Sequence, residues 1–220
     1  MDGPDPRRHN LPAEFPIFPL PGALLLPRGR LPLNIFEPRY LAMIEDALGE
    51  SRCIGMIQPD ETQAPGANGP ALYHIGCLGK LVSFSETEDG RFLVTLAGIA
   101  RFDVAEETAP RRGYRRVRAN FGRFTSDLLP ASSSLTDRPG LLAALRAYFH
   151  VRGFEANWEA IETMADDTLA VTLAMVCPFE PVEKQALLEA PTPEEREAAL
   201  RALLQMGAHD DPDGSPASPS

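Results

Sequence analysis

The apolar periodicity of this chain changes once along its length, and that single change limits what it can fold into. Up to about Phe124 the apolar residues fall in short, strand-like runs, and after about Pro139 they recur at helical spacing throughout. A chain patterned this way is α+β, with strands and helices gathered in separate stretches. At 220 residues, 44% of them apolar, it can bury a substantial core.

In the first stretch, Phe15 to Leu20 and Leu31 to Phe36 read as short strands punctuated by prolines. Pro38 suits the first turn of a helix, in which Tyr40, Leu41, Ile44, Ala47 and Leu48 share one face before Gly49 ends it. Ile54 to Ile57 and Leu72 to Ser85 resume the strand character, separated by a loop of turn formers from Pro59 to Pro70. Glu88-Asp89-Gly90 turns the chain into a further strand, Arg91 to Ala97. In Tyr114 to Phe121 the side chains alternate, Val117, Ala119 and Phe121 one way and Arg116, Arg118 and Asn120 the other. About six short strands, tight turns and one helix imply a small, partly closed β-barrel over residues 13–124.

Residues 125–138, with Ser132-Ser133-Ser134, read as a linker, and residues 139–207 as a bundle of helices. Leu141, Leu142, Leu145, Tyr148 and Phe149 form one apolar stripe, between Pro139 and Gly153. Leu169, Ala170, Leu173, Val176 and Cys177 form another, opened by Asp166 or Asp167 and stopped by Pro178. Thr192-Pro193-Glu194-Glu195 is a capping box for a helix that buries Leu200, Leu203 and Leu204 and stops at Gly207. Residues 1–12 and 208–220 are polar and proline-rich, and are expected to be disordered.

Charge and cysteine usage narrow the function. A net charge of −10 opposes nonspecific affinity for nucleic acid or anionic lipid. No apolar run is long enough to span a bilayer, and the N-terminus lacks the pattern of a secretory signal, so a cytoplasmic address is expected. Cys53, Cys77 and Cys177 are odd in number and sit in apolar contexts, as buried reduced thiols do.

Five ordered blocks carry a likeness to a known family: Phe15-Pro16-Ile17-Phe18-Pro19-Leu20, Leu33-Asn34-Ile35-Phe36-Glu37-Pro38-Arg39-Tyr40, Ile75-Gly76-Cys77, Gly98-Ile99-Ala100-Arg101-Phe102 and Lys184-Gln185-Ala186-Leu187-Leu188-Glu189. The chain resembles the Lon protease N-terminal domain family over roughly residues 13 to 206. That resemblance implies a PUA-like β-barrel followed by a helical bundle. It also implies recognition of unfolded or damaged polypeptide. Lon couples such a domain to an ATPase and a serine-lysine peptidase, yet no G-x-x-x-x-G-K-[ST] loop stands in this sequence. Its two lysines, Lys80 and Lys184, lie outside the family's catalytic context, and without a C-x-x-C pair the zinc-bearing module of the cereblon-type relatives is absent too.

Other chemistry finds little support. His9, His74, His150 and His209 are scattered without ligand spacing, and no Gly-x-Ser-x-Gly turn offers a nucleophile. No catalytic residue, cofactor or metal is expected. Within the motif blocks, Phe36, Glu37, Pro38, Arg39, Tyr40, Gly98, Arg101 and Phe102 are read as structural, with Glu37, Arg39 and Arg101 as paired charges locking the first helix to the barrel. The stretch Arg111, Arg112, Arg115, Arg116, Arg118 and Arg123 is a candidate basic track, but it lacks interleaved aromatics that would stack bases. Phe15, Phe18, Leu24, Leu25, Arg116 and Arg118 are the candidate partner surface. A groove is expected where the proline-rich segment meets the 59–70 loop or the helices. The expected function is ATP-independent, non-catalytic binding of protein segments, beside a protease or chaperone. The alternatives are small-molecule or RNA binding by the barrel and, last, peptidase activity.

Overall fold

The structure is a computed structural model that describes residues 11–130 and 135–209. The expected disorder of the two ends falls almost wholly on 1–10 and 210–220, outside the described residues. Six strands form one mixed sheet: β1 (Glu14–Pro19), β2 (Arg30–Ile35), β3 (Cys53–Ile57), β4 (Ile75–Glu86), β5 (Phe92–Arg111) and β6 (Tyr114–Asn120). The order is β2-β5-β4-β3-β1-β6, and β1 and β3 are the parallel pair within it. β5 pairs with β2 through Phe92–Ala97 and with β6 through Asp103–Arg111, so pairings run from β5 through β4, β3, β1 and β6 back to β5. A separate apolar cluster, Phe15, Ile17, Cys53, Ile57, Leu78, Phe102 and Val117, draws on all five strands of that ring.

The length of β5 is the main departure from the sequence reading, which ended this strand at Ala97. Past Gly98 the strand buries Ala100, Arg101 and Phe102, but from Ala105 onward its residues are mostly exposed and the apolar alternation fades, because that half pairs with β6 rather than covering the core. Gly98 is required where it stands: a Cβ there would lie 2.0 Å from the Leu26 carbonyl oxygen, and Gly98 exchanges bonds of 2.9 Å with the backbone of Arg28 and Gly29. The segment Leu24-Leu25-Leu26 is thereby held against the sheet and fully buried.

Helix α1 (Pro38–Gly49) follows β2 with its proline in the first turn, and Tyr40, Met43, Ile44 and Ala47 are buried. After β6 comes a 3-10 turn, Gly122–Leu128, which buries Phe124 at the end of the expected barrel and Leu128 within the stretch expected as linker. The helices are α2 (Arg138–Arg152), α3 (Trp158–Thr163), α4 (Asp166–Val176), α5 (Pro181–Glu189) and α6 (Pro193–His209). Asp137 caps α2, accepting from the Gly140 N–H at 2.9 Å, and Gly153 ends it at φ +65°. In α4, Leu169, Leu173 and Ala174 are buried, and so is Cys177 just past its end, but Val176 is 71% exposed and is the one residue of the expected stripe that turns outward. Helix α6 runs through Gly207 to His209. Gly207 does not stop it but lets it close on α2, where a Cβ would lie 2.5 Å from the Tyr148 ring. α3 escaped the sequence reading because it has six residues and buries none of them fully.

One continuous core joins the two parts of the chain. Phe18, Leu24, Leu25, Leu26 and Ile35 from the strand region pack in the same cluster as Leu141, Leu145, Leu169, Leu187, Leu200 and Leu204 from the helices. All three cysteines are free and buried.

Candidate substrate cleft

Four pieces of chain meet around an open cleft of about 500 Å³. Pro19 and Pro21 come from the end of β1 and the turn after it. Arg39 and Tyr40 come from the first turn of α1, Pro59 to Pro70 from the long loop, and Gly113 to Arg115 from the start of β6. The expected groove between the proline-rich segment and the 59–70 loop is this cleft.

Its walls are built from within. The Tyr40 ring lies 4.3 Å from that of Phe18, and the Arg39 guanidinium lies over it at 4.5 Å. Burial raises the Tyr40 pKa, so its hydroxyl stays protonated in the physiological range. The loop wall is held by Asp60, whose carboxylate accepts from the Thr62 hydroxyl and N–H and from the Gln63 amide. Those bonds, that from the Thr62 hydroxyl first, keep the Asp60 carboxyl below its ordinary range. Gly66 and Gly69 exchange backbone bonds of 2.8 and 3.2 Å, and Arg115 Nη1 donates to the Pro70 carbonyl at 2.7 Å. Glu107 orients that arginine and accepts from Asn68 at 3.2 Å.

At the start of β6, Tyr114 donates to Asp46 of α1 at 2.7 Å, and burial with that bond pushes the phenol up to about 12. Burial works to raise the Asp46 carboxyl, but the bonds from Tyr114 and Arg112 and the charge of Arg111 outweigh it and hold it low. Burial raises the thiols of Cys53 and Cys77, and that of Cys177 to about 12. Among the described residues no group of three or more His, Cys, Asp or Glu is placed to hold a metal, and no helix is long and apolar enough to cross a membrane.

Every arginine of the candidate basic track has a carboxylate partner. Arg111 meets Asp46 and Glu50, Arg112 meets Glu45 and Asp46, and Arg115 meets Glu107. Arg116 meets Glu14 at 3.0 Å, Arg118 meets Glu106 and Glu14, and Arg123 meets Asp103 at 2.9 Å. The track is neutralised where it stands.

The family model for the ATP-dependent protease La (Lon) substrate-binding domain matches residues 14–206. The chain belongs to that family. Among curated relatives, the Lon protease of Anaeromyxobacter dehalogenans is 27% identical over 99 residues, and Lon protease 2 of Myxococcus xanthus 26% over 99 residues. Each match takes in 45% of this chain and 12% of the protease, so the likeness is to a small part of those proteins. Two solved structures share the fold. A Lon N-terminal domain protein from Xanthomonas campestris gives a TM-score of 0.57 at 22% identity, covering 86% of this chain and 97% of that one. The N-terminal domain of a Mycobacterium avium complex Lon protease gives 0.58 at 16%, covering 90% and 98%.

The Lon-type motif residues separate into two groups. Arg101 and Phe102 are buried, and Arg101 is a joint between sheet and helices: its Nε and Nη2 pair with Asp127 at 2.9 Å, and its Nη1 donates to the carbonyls of Leu188 and Ala190 at 3.1 and 2.6 Å. It does not lock α1. Glu37 and Arg39 pair with each other at 2.9 Å and are 44% and 51% exposed, so they are not buried lock charges. Phe36 stands 62% exposed because β2 ends at Ile35, and Pro38 is exposed beside it. Only Tyr40 of that string packs into the core.

The candidate partner surface is corrected in the same way. Phe15, Phe18, Leu24 and Leu25 are each 6% exposed or less and belong to the core, since the strand and the segment after it are covered on both sides. Arg116 is largely covered and Arg118 half exposed, both in the ion pairs above. Exposed apolar side chains occur instead at the β4–β5 hairpin, where Val82, Phe84 and Leu93 are 47, 40 and 45% exposed. The run Leu81-Val82-Ser83-Phe84 gave no signal for this, since apolar residues there fall on both faces of the strand.

Proposed function

We propose that this protein binds extended, partly apolar polypeptide segments in the cleft between the Pro19–Pro21 turn, the first turn of α1 and the 59–70 loop. It does so without ATP and without bond cleavage, as an adaptor or holdase beside a proteolytic machine in the cytoplasm. The observation that carries the reading is the cleft: proline and tyrosine walls with a polar rim, on a domain of the Lon substrate-binding family. The ring of strand pairings with its own apolar cluster supports the PUA-like, partly closed barrel that the resemblance implied, and the five helices after it support the bundle. The local pairing of all six arginines favours a protein client over RNA.

The test is a salt titration of binding to a denatured, carboxymethylated protein and to single-stranded RNA. Client binding should survive the rise from low to physiological salt, because apolar burial is little screened. Pro65→Asp, which places a charge at the exposed mouth of the cleft, should weaken client binding about tenfold without changing stability, since an ionised carboxylate resists desolvation. RNA binding that is tight and falls steeply with salt would replace this reading with the nucleic-acid one.

A further inference from the structure

A second cavity, of about 230 Å³, lies at the junction of sheet and helices, away from the cleft. Arg28, Arg101 and Arg196 line it with Asp127, and the first turn of α6 forms one wall. Arg101 is fully engaged, as described above, and Arg28 Nη2 donates to the Leu129 carbonyl at 2.5 Å. Arg196 is different. It is 8% exposed, its Nε donates to the Leu187 carbonyl at 2.9 Å, and its Nη2 is buried with no partner among the described residues. A buried cation with an unused donor is costly until an acceptor meets it.

Most of the acids around the cavity already have hydrogen-bond partners. Asp127 gives both oxygens to Arg101, and Asp166 takes Arg138 and the Leu135 N–H. Glu197 accepts from the N–H groups of Thr136 and Asp137 at 2.8 and 2.9 Å, and Asp167 from that of Thr168 at 2.7 Å. Glu194 is exposed. Burial first, then the charge of Arg101, brings the Arg196 pKa down to about 10, and Asp127 offsets only part of this.

We propose that this cavity binds a small oxyanion, toward which the buried, unpartnered Nη2 of Arg196 turns as the anion enters, with the charge of Arg28 beside it. Inorganic phosphate and a small carboxylate share that chemistry. Bound there, the anion would touch residues of the 3-10 turn, α4 and α6 and so brace the seam between sheet and helices.

The experiment titrates the full chain with sodium phosphate and, separately, sodium acetate, against sodium chloride at matched ionic strength, following the thermal midpoint and the heat of binding. A saturable rise beyond that in chloride, with phosphate or with acetate, is expected, and which salt produces it names the source. Arg196→Met should abolish the rise, and Arg28→Gln should weaken the affinity about tenfold. Arg28 is an exposed loop residue, so its variant decides the matter if Arg196→Met fails to fold. The proposal is overturned if neither oxyanion exceeds chloride, the cavity then holding only water, or if the rise is unchanged in whichever variants fold.

Discussion

Two arginine–carboxylate pairs in this protein have the same 2.9 Å separation and opposite surroundings. Arg101 and Asp127 are 2% and 9% exposed at the seam between β5, the 3-10 turn and α5, whereas Arg39 and Glu37 are 51% and 44% exposed at the start of α1. The contrast shows that distance does not measure what an ion pair contributes. Burial sets the cost of leaving one partner alone, and for Arg101 that cost is high because its remaining donors reach main-chain carbonyls rather than water. Both charges of the α1 pair can turn to solvent.

The largest expected effect comes from breaking the buried pair. Asp127→Ala leaves the Arg101 guanidinium in the core without a counter-charge and should cost about 3 to 5 kcal/mol. Chemical denaturation would report this as a lower midpoint with an unchanged slope. A variant as stable as wild type would show that the Arg101 donors find other acceptors and that apolar packing alone holds the seam.

An intermediate case sharpens the comparison. Asp46 is mostly covered, but its partners Arg111 and Arg112 are 45% and 47% exposed. Its carboxyl sits below the ordinary value in the folded chain, so the stability it adds is fully present above the unfolded value near 4 and lost as pH falls through the folded one. Asp46→Asn should therefore cost about 1.5 kcal/mol at neutral pH, the low end for hydrogen bonds to a charged group, given the half-exposed arginines. The variant should also lose less stability than wild type on acidification. Parallel stability curves for the two proteins between about pH 5 and 2 would remove Asp46 from the account.

These pairs also mark how far the sequence could be read. Helix α1 was legible to the residue, because Pro38 opens it, Gly49 ends it and a single apolar face lies between. The β1, β3 and β6 spans were legible within about two residues, the usual precision for strands read from alternation. The cleft was legible as a meeting of the proline-rich segment with the 59–70 loop, since prolines resist burial in strands and gather at edges and turns. Which apolar residues face a partner was not legible. Phe15 and Phe84 both lie in strands with apolar residues on either face, but Phe15 is 1% and Phe84 40% exposed, and only the packing around each strand distinguishes them. Asp127 was missed for a related reason: Arg101 and its carboxylate are 26 residues apart, in elements brought together by the long second half of β5.

The smallest effect is expected at the motif residue that the sequence marked as a buried lock. Glu37 precedes the first turn of α1 but makes no capping bond, and its carboxylate meets only the neighbouring Arg39. An exposed pair of this kind contributes about 0 to 1 kcal/mol, and a carboxylate at a helix N-terminus about 0.3 to 1 more at low salt. With both terms screened at physiological salt, Glu37→Ala should lower stability by less than about 1 kcal/mol, and the loss should shrink further as ionic strength rises. Arg39 lines the cleft, so releasing it from Glu37 should change client affinity more than it changes the denaturation midpoint. The comparison is broken if Glu37→Ala destabilises as much as Asp127→Ala, because the exposed pair would then carry part of the fold. A stability cost near zero with altered client binding would place the Glu37–Arg39 pair at the working surface instead.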